Sequence, residues 1–114
     1  MADYQEGFEK LSEEVRGVHR ALKSLMEELD AIDAYHQRAA VSEDSALRGV
    51  LAHNRDEELE HAAMLLEWLR RQLPTFDEAL RTYLFTNGDL TAIEEAADAN
   101  SQPGSLGIGD LKGE

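Results

Sequence analysis

HNRDEELEHAAM, residues 53 to 64, carries charged side chains where a helical pattern calls for apolar ones. Steps of three and four residues follow one face of a helix. Continued through this stretch, they reach apolar positions on both sides and a glutamate and a histidine in the middle: Leu47, Leu51, Asn54, Glu58, His61, Leu65 and Trp68. Glu58 and His61 thus occupy positions where core residues are expected. A neighbouring stripe offers an alternative inward face, beside which they would be ordinary flanking residues: Leu59, Ala62, Leu66, Leu69 and Leu73.

The same spacing defines a first long helix before this stretch. Its apolar seam alternates steps of three and four: Phe8, Leu11, Val15, Val18, Leu22, Leu25, Leu29 and Ile32. Ser12 is a possible cap, but the seam runs through it. We therefore expect this helix to begin near Glu6 and to end near Ala40.

The quoted stretch belongs to a second long helix. A turn is predicted at residues 41–45, with Ser42 or Asp44 as the N-cap of the helix that follows. This helix should end at about Gln72, because the residue before Pro74 disfavours helical geometry.

The remainder of the chain is predicted to be helical and then irregular. Proline at the first position favours a shorter helix through TFDEALRTYLF, residues 75–85. TNGD at 86–89 is a break, and TAIEEAAD at 91–98 is a weak final helix. From Asn100 the sequence is rich in glycine and serine, which is typical of a flexible segment.

These elements predict an all-α fold. We expect an antiparallel two-helix hairpin plus a short C-terminal helix, in a helical domain at residues 1–98 with a flexible tail at 99–114. The apolar faces of the two long helices exceed what one hairpin can bury, so we expect an oligomer assembled from such hairpins.

Composition excludes several classes of function. The chain has 24 acidic and 11 basic residues and a net charge of -13, which repels phosphate backbones and disfavours nucleic-acid binding. There is no cysteine, so disulfides and thiolate metal sites are excluded. No apolar run approaches the roughly 20 residues of a membrane span, and no signal peptide is recognised, so we expect a cytoplasmic protein.

The first helix carries a carboxylate suited to face Glu58. Glu28 lies one turn from both Leu25 and Ile32 and so borders the apolar seam, and Tyr35 follows on the same stripe. In an antiparallel hairpin, Glu28 and Glu58 would lie at similar depth, each about 15 residues from the turn. One hairpin then places a carboxylate opposite a Glu-x-x-His pair.

This set is half of a known kind of metal site. Dinuclear carboxylate sites in four-helix bundles use a Glu from each of two helices and Glu-x-x-His from each of the other two. Two chains related by a twofold axis would supply that complement. Mixed carboxylate and imidazole ligation suits iron, with manganese and zinc as rivals. A cation would also relieve the cost of clustering four acids.

Other polar residues have weaker patterns. His53, Glu57 and Glu60 share a helix face and can bind a cation at the surface, although a solvated acidic face is the simpler interpretation. His19 and His36 have no acidic partner at a distinctive ligand spacing, and we interpret them as structural.

Several segments resemble the encapsulated ferritin family, small ferritin-like proteins packaged inside encapsulin shells. The resemblance rests on EELDAIDAY (27–35), HNRDEELEHAAMLLEWLRR (53–71) and RTYLF (81–85). The tail GSLGIGDLKGE (104–114) resembles the encapsulin targeting peptide of such cargo. The resemblance implies that the hairpins dimerise into a ferritin-like four-helix bundle and that the dimers form a homodecameric ring. It also implies ferroxidase activity, with the mineral stored by the encapsulin nanocompartment.

The resemblance also implies roles for individual residues. Glu28, Glu58 and His61 match the di-iron ligands and, with Tyr35, a tyrosine that can contact the metal, form the expected catalytic set. Glu27 and Asp30 match an acidic site at which metal enters, where the family usually has a second glutamate instead of Asp30 and a tryptophan instead of Ala34. A peripheral metal site, suited to calcium, manganese or zinc, is matched by His53, Glu57 and Glu60.

Two other functions remain open. The same residues in a non-catalytic, metal-stabilised cargo or assembly module would bind zinc or calcium without oxidising iron. An inert helical bundle would bind no metal. For the tail, the alternative is a frayed terminus, since isolated apolar residues such as Leu106, Ile108 and Leu111 are normal on surfaces.

Overall fold

The structure, a computed structural model, describes residues 4–100. This part of the chain is all-helical, which confirms the predicted fold class. A 3-10 turn precedes four α-helices, with these bounds: Phe8–Lys10 for the turn, α1 Glu13–Val41, α2 Ser45–Gln72, α3 Pro74–Tyr83 and α4 Leu90–Asn100. The predicted targeting peptide at 104–114 lies outside the described residues, as does all but the start of the predicted tail.

The first helix begins later than expected. Ser12 is its N-cap, and the Ser12 hydroxyl accepts a hydrogen bond from the Val15 amide at 3.2 Å. The expected start near Glu6 was therefore wrong, because the cap satisfies a free amide that would otherwise favour another helical turn. The 29 residues of α1 correspond to about 44 Å at about 1.5 Å per residue.

The segment before Ser12 folds back on α1 through aromatic contacts. The Arg16 guanidinium lies 3.6 Å from the centre of the Phe8 ring and donates a hydrogen bond to the Phe8 carbonyl. Tyr4 stacks on His19 with ring centres 4.2 Å apart. These contacts give Phe8, the first residue of the predicted seam, a role outside the helix.

Hydrogen bonds cap both ends of the short turn between α1 and α2. Asp44, one of the two predicted N-caps, accepts a hydrogen bond from the Leu47 amide at 3.0 Å. Arg48 donates to the Ser42 carbonyl with Nε at 3.0 Å and Nη2 at 2.8 Å. Helix α2 then ends at Gln72, as the proline that follows predicts.

Helices α1 and α2 pack as a hairpin through small side chains. Among the described residues, the buried apolar ones are Ala21 and Ala39 of α1 and Ala62 and Leu69 of α2. Alanine lets two helix backbones approach closely, because little side-chain volume separates them.

The apolar seam predicted from the spacing is largely exposed in the single chain. Leu22 and Leu29 of α1 and Trp68 of α2 all have substantial exposed area. On α2 it is the alternative stripe that supplies the buried residues Ala62 and Leu69. Among residues 4–100, the hairpin therefore buries a narrow face and leaves many large apolar side chains exposed.

The chain divides into two compact units between Leu73 and Pro74. In the second unit, α3 contacts α4 across a turn in which Phe85 and Gly88 have positive φ values of 63° and 99°. Burial raises the pKa of the Tyr83 hydroxyl, and the charges of acidic residues on α4 act in the same direction. No helix among residues 4–100 has the combined length and apolar character that crossing a bilayer requires.

Replacing Asp44 with alanine should lower the free energy of unfolding by about 1 kcal/mol, because the Leu47 amide at the start of α2 loses its acceptor. Asp44→Asn is the matched control, since it removes the same charge but keeps a capping oxygen. Urea unfolding followed by circular dichroism measures both. Equal loss in the two variants would show that charge, and not capping, sets the contribution of residue 44.

Candidate metal centre

The hairpin brings Glu28, Glu58 and His61 together. Glu28 lies in the middle of α1, and Glu58 and His61 lie one turn apart on α2. Each of the three offers one ligand atom such that all of these atoms lie within 4.8 Å of one another. His61 Nδ1 is 3.4 Å from Glu58 Oε1 and 3.7 Å from Glu28 Oε1. Among the described residues, this is the one group of three or more acidic or histidine side chains with such spacing.

The cluster lies at the edge of the hairpin interface. Glu58 precedes the buried Ala62 by one turn, and His61 precedes it by one residue. The exposed fractions of the side chains are 25% for Glu28, 26% for Glu58 and 45% for His61. The three groups are partly withdrawn from water while one side of the cluster stays open, which is the arrangement that a bound ion needs.

One carboxylate oxygen of Glu28 accepts no hydrogen bond from any described residue. Its Oε1 is buried and makes no hydrogen bond, and the nearest nitrogen of His61 is 3.7 Å away. Leaving such a group without a partner costs about 1–3 kcal/mol. A buried, unpartnered carboxylate oxygen is the feature that a cation would complete.

Glu58 opposes the ionisation of Glu28. The pKa of Glu28 is raised from its ordinary value, first because a protonated Glu28 could donate a hydrogen bond to the neighbouring Glu58 carboxylate. Burial and the charge of Glu58 raise this pKa as well, and His61 acts in the opposite direction. Without a cation, the cluster therefore tends to retain a proton.

The other residues predicted for this region are Tyr35, Glu27 and Asp30, which are not members of the three-residue cluster. Tyr35 is half-buried on α1, seven residues after Glu28, and the Arg38 guanidinium carbon lies 5.6 Å from its ring centre. Glu27 and Asp30 are exposed and belong to no metal-binding group among residues 4–100.

The predicted peripheral site is only partly assembled in the single chain. His53 Nε2 lies 3.8 Å from Glu57 Oε2, and both side chains are exposed. Glu60 lines a shallow groove further along α2 with Met64 and Trp68. The part of the chain that the structure describes does not bring the three predicted residues together as one ligand group.

One contact between the helices was missed by the sequence analysis. Arg55 Nη1 of α2 lies 3.1 Å from His36 Nδ1 of α1, and Arg55 Nε donates to Asp56 Oδ1 at 3.1 Å. We had interpreted His36 as structural without naming a partner. The contact joins residues 19 positions apart, so it depends on the register of the hairpin, which no local pattern reveals.

Comparison with known proteins identifies the family to which the chain is similar. The EncFtn-like family model matches residues 3–87. The chain is 54% identical to a ferritin-like protein of Thermotoga maritima, over 97% of this chain and 100% of that protein. It is 53% identical to an encapsulated ferritin-like protein of Rhodospirillum rubrum, over 96% of this chain and 87% of that protein.

A solved structure shows the same helical fold. Protein ne0167 from Nitrosomonas europaea matches with a TM-score of 0.75 and 55% sequence identity, over 78% of this chain and 98% of that one. The family match spans both helices of the hairpin, including the residues that form the cluster. The sequence and the fold together establish that this chain belongs to the EncFtn-like family.

Proposed function

We propose that the protein is a ferroxidase, which oxidises Fe(II) to Fe(III) at a di-iron site formed across a dimer interface and supplies iron for storage inside an encapsulin nanocompartment. The observation that carries this proposal is the cluster of Glu28, Glu58 and His61 with its unpartnered Glu28 oxygen. Family membership supports the role in iron chemistry.

The donor set fits iron. Two carboxylates and one imidazole combine hard oxygen ligands with a borderline nitrogen ligand, which suits both Fe(II) and Fe(III). His61 directs Nδ1 toward the two carboxylates, so Nδ1 is the atom that would ligate and Nε2 would carry the proton. Manganese and zinc bind similar donors, and they are the ions most able to replace iron here.

The site is incomplete in one chain. Three protein ligands are half of the four carboxylates and two imidazoles that dinuclear bundle sites use. Exposed apolar side chains flank the cluster along both helices: Leu22, Met26, Leu29 and Leu59. A second copy related by a twofold axis would cover these side chains and add the missing ligands, which supports a dimer as the unit of activity. The family resemblance suggests a decameric ring of such dimers as the larger assembly.

The protein residues have separate tasks in this proposal. Glu28 and Glu58 bind the ions and offset the additional charge after oxidation, and His61 fixes their position. Bound Fe(II) supplies the electrons, one from each ion, to dioxygen as the acceptor. The pKa of Glu28 is raised in the metal-free cluster, so at a pH where this carboxyl group is protonated, ion binding displaces its proton. Tyr35 lies on the same helix face as Glu28 and is the proposed tyrosine beside the metal.

Exposed acidic and histidine residues would attract cations to the surface of the protein. Glu27 and Asp30 lie on the exposed side of α1 next to Glu28 in sequence, where their charges attract cations. On α2, the exposed His53 and Glu57 pair is the proposed core of the peripheral site, with Glu60 as its third member and calcium, manganese or zinc as its ion. The Rhodospirillum rubrum relative is called encapsulated, which supports an encapsulin shell protein as the partner of this chain.

Glu28→Ala should reduce the rate of aerobic Fe(II) oxidation by at least about 100-fold, because one ligand is lost twice in a symmetric site. Absorbance of Fe(III) formed on addition of Fe(II) measures the rate. Glu43→Ala, which removes an exposed carboxylate from the turn, is the control and should retain the activity of the unmodified protein.

Two outcomes would contradict the proposal in different ways. A Glu28→Ala variant that oxidises Fe(II) normally would mean that the site lies elsewhere. Metal binding without oxidation above the uncatalysed rate would favour the non-catalytic, metal-stabilised cargo protein. Native mass measurement of the same samples should show Fe(II) shifting monomer toward dimer or ring, and a monomer that binds iron tightly would contradict the half-site.

Glu28→Gln should stabilise the metal-free protein near neutral pH. The raised pKa of Glu28 means that the folded state favours its protonated form, so stability is lost as pH rises through that pKa. Glutamine has nearly the same size as glutamate but no charge, so the substitution removes the repulsion between residue 28 and Glu58. Thermal unfolding in the presence of a chelator should show a gain over the unmodified protein at pH 7.5 that shrinks on acidification, since the wild-type carboxyl group then becomes protonated. A variant that melts below the unmodified protein at pH 7.5 would contradict the proposed charge conflict.

Deleting residues 104–114 should abolish co-purification with the encapsulin shell and leave the oxidation rate unchanged. Leu106, Ile108 and Leu111 alternate with glycine and polar residues, so an extended backbone can place them in pockets of a groove. Several tails on one ring would turn weak single contacts into firm capture. Co-expression with a shell protein measures loading. Truncated protein that still enters shells, or that loses its activity, would show that the tail has another role.

A further inference from the structure

The Arg55 side chain contacts His36 on α1 and Asp56 on α2. Its Nη1 lies 3.1 Å from His36 Nδ1 across the hairpin, and its Nε donates to Asp56 Oδ1 at 3.1 Å. The side chain is 26% exposed, so most of it is withdrawn from water. A guanidinium group only donates hydrogen bonds, so His36 Nδ1 accepts and the proton of the imidazole lies on Nε2.

Arg55 also precedes Glu58 by three residues on α2. Opposite charges at this spacing lie on neighbouring positions of a helix surface and attract each other. The described structure nevertheless shows no ion pair between Arg55 and Glu58, and Glu58 keeps His61 as its ion-pair partner. The contacts to His36 and Asp56 occupy the guanidinium instead.

The far end of the same helix shows how arginine affects a nearby carboxylate when the two form an ion pair. Glu67 binds Arg70 at 2.8 Å and Arg71 at 2.7 Å. These hydrogen bonds hold the pKa of Glu67 at about 2. Both oxygens of that carboxylate accept from arginine. A carboxylate in this state is a poor ligand, because a metal ion must first displace the guanidinium groups.

We propose that His36 is a positioning residue that holds the Arg55 guanidinium away from Glu58, so that the Glu58 carboxylate stays free to bind a metal ion. This role rests on the proposed function, since it assumes that Glu58 is a ligand. His36 itself touches neither the ion nor the substrate. It acts by accepting a hydrogen bond that would otherwise go to the ligand carboxylate.

The test is a Co(II) titration of full-length variants, followed by the visible absorption of the bound ion. His36→Leu removes the acceptor and frees Arg55 to pair with Glu58. Affinity for Co(II) should fall by about fivefold, the scale of one charge-assisted contact partly screened by solvent. His36→Gln keeps an acceptor oxygen and should bind Co(II) as the unmodified protein does.

A double variant separates this role from simple bracing of the two helices. Arg55→Gln removes the competing cation, so His36→Leu combined with Arg55→Gln should regain the affinity that His36→Leu alone loses. If the contact only braces the hairpin, the double variant stays as weak as His36→Leu, which would overturn the proposal. Unchanged affinity in His36→Leu would overturn it as well.

Glu28→Ala tests the site separately from His36. Loss of Co(II) binding in Glu28→Ala together with unchanged affinity in His36→Leu would overturn the role of His36 alone. Retained binding in Glu28→Ala would overturn the proposed site and, with it, the role of His36. Should His36→Leu fail to fold, a fivefold loss in His36→Gln would still contradict the proposal, because glutamine preserves the acceptor.

Discussion

The close approach of two carboxyl groups, Glu28 and Glu58, is the constraint on which the candidate site depends. Each lies within 4.8 Å of the other and of one imidazole nitrogen. Like charges at this distance in a partly buried place are unfavourable, and the raised pKa of Glu28 and its unpartnered oxygen are two signs of that cost. A fold that maintains such a pair gives up stability in the metal-free state. A divalent cation bound to both carboxylates would neutralise the like charges and would give the Glu28 oxygen a partner.

The hairpin maintains this approach through small residues on one face. Ala21, Ala39 and Ala62 let α1 and α2 lie close together, and Glu28 and Glu58 face each other between them. Larger apolar side chains, such as Leu22 and Leu29, lie outside this narrow interface. The small residues that join the two helices are thus different from the larger apolar residues that stay exposed. If the protein dimerises as proposed, this division would let a short chain hold half of the metal site in place and still expose a surface for another copy.

Helical periodicity was sufficient to predict the class of fold, the end of α2 before Pro74 and the meeting of Glu28 with Glu58 and His61. It was not sufficient to decide which stripe each helix buries. Leucine spacing favoured the seam, but the residues that the described hairpin buries are three alanines and Leu69 of the neighbouring stripe, because small side chains let the two helices approach closely. The start of α1 was misplaced for a related reason: Phe8 continues the seam in sequence but packs against Arg16 outside the helix. Contacts between distant residues, such as His36 with Arg55, depend on hairpin register and lie beyond any local pattern.

The proposed division of a metal site between two copies would have a thermodynamic consequence. If the ions bind only where two half-sites meet, then the free energy of metal binding is also free energy of dimerisation. Metal-free chains would then be held together only by the apolar surface, while the carboxyl pairs of the two copies repel each other. Bound iron would make the electrostatic contribution to dimerisation favourable instead of unfavourable. Assembly and activity would therefore rise together with the concentration of Fe(II), and a chain without iron would present neither a complete site nor a closed interface.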